Sequence, residues 1–182
     1  MKANSDAVLV TECMAGNERA FETLVRKYQK PIYNLALRVV RDPEDAEDIV
    51  QTVFIKAYEK LSSFDRSRQF FSWIYRIAVN ESINFSKQRK RLDEYESGVT
   101  AVNSLTPEKS YHDQELSQRI GQAISLLKMD YRLVLVLKHY HDMSYQEIGD
   151  ILQIPEKTVK SRLFTARQLL KEILEKEGIR ER

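Results

Sequence analysis

The chain is predicted to be all-α, with two small helical domains joined by a flexible linker. Three observations carry this prediction. Apolar residues recur at i, i+3, i+4 and i+7 along most of the 182 residues, and no stretch sustains the alternation of a strand. Five glycines and four prolines are too few for the many turns of an all-β fold. The periodicity also fails between about residues 92 and 113, where Gly98, Pro107 and several Ser, Thr and Asn residues mark a linker. The boundaries follow: a first domain at residues 1–93, a linker at 94–114 and a second domain at 115–182.

Taken in order, residues 6–14 form a short helix through Ala7, Val8, Val10 and Met14, ended near Gly16. Asn17 reads as a cap for the next helix, where Phe21, Leu24, Val25, Tyr28, Ile32, Leu35, Ala36 and Val39 share a face. Pro31 lies inside that pattern and is expected to kink or split it. Asp42-Pro43-Glu44-Asp45 is a helix start, with a capping carboxylate, proline at the first position and acids where the dipole favours them. This helix should bury Ala46, Ile49, Val50, Val53, Phe54, Ala57 and Leu61. It leaves Glu47, Asp48, Gln51, Thr52, Ile55, Lys56 and Glu59 outside. A mixed acidic and apolar strip of this kind suits a protein partner, although such strips are more often plain surface.

Residues 62–69 form a polar loop with one aromatic, Phe64. An aromatic-rich helix follows, with Trp73, Ile74, Ile77 and Ala78 placed toward the core. Asn80 and Asn84 share one of its faces at i, i+4 and lead into Lys87 and Arg91. Amides that pair with base edges, aromatics that stack and cations that follow phosphates are what single-stranded nucleic acid requires of a surface.

The second domain opens with Leu116, Ile120, Ala123, Ile124 and Leu127, followed by a helix through Leu133, Val134, Val136, Leu137 and Tyr140. Ser144 and Glu147 then form a capping box ahead of Ile148, Ile151 and Leu152. Gln153-Ile154-Pro155 breaks the pattern, and Pro155 suits the start of a new helix. In that last helix Val159, Leu163, Ala166, Leu170 and Ile173 fall on one side. Lys157, Lys160, Ser161, Phe164 and Gln168 fall on the other, flanked by Thr158, Arg162, Thr165 and Arg167. Two helices in this arrangement place the second in the DNA major groove; the plainer reading is a helical hairpin with a solvated basic face. Gly149 sits where the two helices must cross closely, whereas Gln153 takes a turn position easier for glycine.

Net charge is only +2, but it is unevenly spread: residues 42–48 are strongly acidic and residues 87–91 form a basic block. That asymmetry points to two kinds of partner, one basic and one polyanionic. The single cysteine, Cys13, excludes an internal disulfide and suits a reducing cytoplasm. No secretory leader or membrane-length apolar run is read from the sequence, so no membrane insertion is expected. Phosphate loops, dinucleotide fingerprints, nucleophile elbows and zinc spacings are not found. His139 and His141 stand at i, i+2 and do not share a helix face, so they do not read as a metal pair. The chain is therefore expected to be no enzyme, with no catalytic residues, no metal, no cofactor and no small-molecule substrate.

Three motifs in order resemble the extracytoplasmic-function (ECF) group of the sigma-70 family of bacterial sigma factors. They are D-P-E-D-A-E-D-I-V-Q-T-V-F-I-K-A-Y at residues 42–58, F-F-S-W-I-Y-R-I-A-V-N at 70–80, and S-Y-Q-E-I-G-D-I-L-Q-I-P-E-K-T-V-K-S-R-L-F-T-A-R at 144–167. The resemblance covers almost the whole chain. It implies an alternative sigma factor that binds core RNA polymerase and directs initiation at promoter DNA. Polymerase would be met by Asp45, Asp48, Gln51 and Ile55. The −10 element would be recognised and melted through Phe64, Ile77, Asn80, Asn84, Lys87 and Arg91, with a base flipped near Phe64, Ile77 and Asn80. The −35 element would be read by Glu156, Lys157, Thr158, Lys160, Ser161, Phe164 and Arg167. Relatives often carry Gly at the place of Lys157 and Arg at that of Thr165, so this chain gains one cation and loses another. An anti-sigma factor is implied as the regulator. The alternative is a stand-alone helix–turn–helix regulator, against which residues 1–95 offer neither ligand-pocket signature nor dimerisation heptads.

Overall fold

A computed structural model of the chain describes residues 3–95 and 111–176. The described residues form eight α-helices and one 3₁₀ turn, with no strand among them. The chain divides into two compact units, residues 1–97 and 98–182.

In the first unit α1 is Ala3–Met14, α2 Glu18–Val40, α3 Pro43–Lys60 and α4 Phe70–Tyr95, with a 3₁₀ turn at Leu61–Ser63 between α3 and α4. Asn17 caps α2 by accepting from the Arg19 N–H at 3.1 Å. Asp42 caps α3 by accepting from the N–H groups of Glu44 and Asp45, directly ahead of Pro43. Pro31 does not split α2, which runs unbroken past it. The reason is tertiary. Tyr28, Ile32, Leu35 and Ala36 around the proline are buried against α3 and α4, and burial of that size outweighs one missing hydrogen bond. The core adds Leu24, Ile49, Val53, Ile74 and Ala78, all at 1% exposure or less. Val50, Trp73 and Ile77, expected inside, are only half-buried.

α1 is fastened by a buried carboxylate. Asp6 accepts from the Tyr28 hydroxyl at 2.5 Å and pairs with Lys27, both on α2. A buried charge needs such partners, since left alone it would cost several kcal/mol. Burial, then the bond to Asp6, pushes Tyr28 ionisation far above the ordinary tyrosine range.

The second unit contains α5 Tyr111–Leu126, α6 Met129–His139, α7 Tyr145–Leu152 and α8 Glu156–Lys176. Its core is Ala123, Leu127, Leu133 to Leu137, Met143, Ile148, Ile151, Val159, Leu163 and Ala166. Tyr140 stays exposed. Helices α4 and α5 run beyond the bounds set by periodicity, to Tyr95 and from Tyr111. The remainder of the expected linker, and the side chain of Leu116, lie outside the described residues.

Candidate functional site

The turn between α7 and α8 is built by local chemistry. The Ser144 hydroxyl accepts from the Glu147 N–H, and the Glu147 carboxylate accepts from the Ser144 N–H at 2.7 Å, which closes the capping box. Gln153 then adopts φ 56°, ψ 44°, a left-handed conformation, and its side-chain amide donates to the Asp150 carbonyl at 2.7 Å. Ile154 donates its N–H to the Gly149 carbonyl. A Cβ on Gly149 would lie 2.8 Å from the Ile154 carbonyl oxygen, so only glycine permits this crossing.

On α8 the buried side is Val159, Leu163 and Ala166. Glu156, Lys157, Lys160, Ser161, Phe164 and Arg167 are exposed and Thr158 is half-buried. Phe164 is 67% exposed, a large apolar ring held out from the middle of a basic face. Lys160 bridges to Glu156 at 2.7 Å and lies 5.5 Å from the Tyr145 ring centroid on α7. The Glu156 bond holds the Lys160 ammonium above its ordinary range. Arg162 is tied to Asp130 of α6 at 2.8 Å. Arg167 stands 3.2 Å from Nε2 of His139, at the end of α6. Burial, then the charges of Arg167 and Lys138, hold His139 below the ordinary histidine range.

The first unit presents two further stripes. On α3, Asp48, Gln51, Ile55 and Tyr58 follow one another at spacings of 3, 4 and 3 along one exposed line. Ile55 and Tyr58 are each 59% exposed, and Tyr58 packs edge-on to Phe21 of α2 at 5.1 Å. Tyr58 extends this exposed line and stands seven residues after Gln51, a spacing the sequence already held. Asp45 is not free on this surface, because it is paired with Arg89 of α4.

On α4, Phe70, Trp73, Ile77, Asn80, Asn84, Lys87 and Arg91 follow one another by 3 or 4 residues. Phe70 is itself buried at 3% exposure, so the accessible part of the stripe passes from the half-buried Trp73 and Ile77 to amide to cation. Phe64 is buried at 7% exposure and packs on Phe70 and Trp73 at 5.8 and 5.1 Å, so the loop aromatic braces the stripe's beginning. Asn80, Asn84, Lys87 and Arg91 are exposed and Ile77 is half-buried. Arg89, inside the same basic block, turns to α3 and bridges Asp45 and Asp42. Among the described residues no cluster of His, Cys, Asp or Glu is arranged to hold a metal, and no helix is long and apolar enough to cross a membrane.

A helix–turn–helix with an exposed basic face, together with a second helical unit carrying amides and cations in line, defines a two-part nucleic-acid-binding protein. The Sigma-70 region 2 family model matches residues 24–92 and the Sigma-70, region 4 model residues 117–170. The RNA polymerase sigma-H factor of Pseudomonas aeruginosa is 35% identical over 181 residues, covering 93% of this chain and 94% of its own. The ECF RNA polymerase sigma factor SigW of Bacillus subtilis is 36% identical over 176 residues, covering 91% and 94%. Among solved structures, the sigma factor RpoE in complex with the anti-sigma factor NepR from Bartonella quintana aligns with a TM-score of 0.72. It is 26% identical, over 85% of this chain and 96% of that one. The chain belongs to the ECF group of the sigma-70 family of RNA polymerase sigma factors. Members of that family are DNA-binding transcription initiation factors, and its role is that of an alternative sigma factor, not a stand-alone regulator.

Proposed function

We propose that this chain joins core RNA polymerase and directs it to promoters by three separate surfaces. The line Asp48, Gln51 and Ile55 on α3 docks on polymerase, with Asp45 at its edge. The α4 stripe takes the −10 element: Asn80 and Asn84 pair with an extruded base, Ile77 and Trp73, the latter braced by the buried Phe64, pack on it, and Lys87 and Arg91 follow the phosphates. Extruding a base costs a few kcal/mol, offset by stacking and edge hydrogen bonds in a preformed site. On α8, Glu156, Lys157, Thr158, Lys160, Ser161, Phe164 and Arg167 read the −35 element in the intact major groove. There, lysine and arginine suit guanine, carboxylates accept from cytosine amino groups, and apolar rings suit thymine methyls.

The observation that carries this reading is the α4 stripe, whose order of aromatic, amide and cation suits single-stranded nucleic acid. The chain itself performs no catalysis, and it acts in the cytoplasm, where polymerase works. An anti-sigma factor controls it, a reading supported by the structural relative solved with one. Run-off transcription with purified core polymerase tests the proposal. A transcript that starts at a defined site only when the chain is present supports it; tight duplex binding without polymerase, and no transcript, overturns it.

A further inference from the structure

Helices α3 and α4 are joined at two places by ion pairs of opposite sense. Near the start of α3, Asp45 and Asp42 hold Arg89 of α4, Asp42 at 3.5 Å. Near its end, Lys56 holds Glu81 of α4 at 2.7 Å. Residue 45 meets 89 and residue 56 meets 81, so the helices run antiparallel and the two pairs stand about 16 Å apart along α3. The carboxylates of Asp45 and Glu81 are largely buried, with side-chain exposures of 17% and 16%. Each pair is therefore partly shielded from the screening that weakens surface bridges. Their polarity also sets register: acid on α3 with base on α4 at one end, the reverse at the other. Sliding α4 along α3 by one turn would break both pairs at once.

We infer that Arg89 and the Lys56–Glu81 pair are positioning residues. They fix the helix bearing the polymerase-facing line in register with the helix bearing the −10 stripe, so that docking sets where the stripe meets DNA. Arg89 acts through Asp42 and Asp45 and makes no phosphate contact, although it lies inside the basic block between Lys87 and Arg91. This inference rests on the function proposed above.

The test uses holoenzyme assembled from core polymerase and the full chain. It reads polymerase affinity, the rate of promoter opening at saturating polymerase, and the slope of promoter affinity against salt. Arg89→Gln is expected to slow opening roughly three- to tenfold, the size that coupling between contacting charges reaches, with the salt slope unchanged. Lys87→Gln, which removes a phosphate contact, is expected to lower that slope by about one. Lys56→Glu and Glu81→Lys should each slow opening, and the double swap should restore it to within about twofold. The inference is overturned if Arg89→Gln lowers the slope as Lys87→Gln does, or if the double swap opens no faster than the single variants. If Asp48→Ala leaves polymerase affinity intact and Lys87→Gln leaves the slope intact, the underlying functional reading has failed instead, and the inference falls with it.

Discussion

Gly149 of α7 passes so close to Ile154 that a Cβ there would stand 2.8 Å from the Ile154 carbonyl oxygen, with Val159 of α8 just beyond. The helix–turn–helix angle thus depends on an absent side chain. Gly149→Ala forces backbone apart and is expected to destabilise the second unit by about 1–3 kcal/mol, the usual range for overpacking. Hydrogen exchange on the full chain checks this. Faster exchange in α7 and α8 with α2 to α4 unchanged is the predicted pattern, and uniform exchange would contradict it.

Asp6 is the anchor of α1. Its replacement by Ala leaves the buried Tyr28 hydroxyl and Lys27 without their partner. The expected loss is about 1–3 kcal/mol, the cost of an unsatisfied buried donor. Burial, the largest cause of the raised Tyr28 ionisation, remains in that variant, so the same change should lower it only in part, by the share that the Asp6 bond and charge contribute. Alkaline spectrophotometric titration of the variant reads this shift.

His139 gives the second unit a defined response to acid. The folded chain binds a proton at His139 less readily than the unfolded chain does, since burial and the neighbouring Arg167 and Lys138 disfavour the cation. Stability linked to this group is therefore present above the ordinary value of 6.5 and is lost as pH falls from there toward the folded value. Arg167 also loses its acceptor when the ring is protonated. An NMR titration should place the His139 midpoint below 6.5, and Arg167→Ala should move it upward.

How much of this was legible in the sequence follows from the range of each interaction. The Asn17 and Asp42 caps, the Ser144–Glu147 capping box and the Gly149 crossing depend on neighbours a few residues away, and local chemistry sufficed for them. The α8 face was equally readable, because one helical period assigns every side chain to a side. What escaped depends on distant partners. Arg89 reads as one more cation until α3, 44 residues earlier, supplies Asp45. Asp6 marks only the start of a short helix until α2 supplies Lys27 and Tyr28 as its partners. Pro31 reads as a kink or a split, and the split is ruled out only by the packing that keeps α2 continuous past it. Phe64, an aromatic in a polar loop, gave no hint of its direction; it points into the unit, against Phe70 and Trp73.

Two neighbouring helices of one unit serve two different macromolecules in this account, and separating those duties tests it most directly. Polymerase affinity and promoter opening are measured side by side for Asp48→Ala and Asn80→Ala holoenzymes. Asp48 stands on the exposed line of α3 and Asn80 on the stripe of α4. Asp48→Ala is expected to weaken polymerase binding roughly tenfold, about 1.4 kcal/mol, with opening preserved once polymerase is saturated. Asn80→Ala is expected to leave polymerase binding within about twofold while opening falls at least about tenfold. Equal loss of polymerase affinity in both variants would contradict this division of duties.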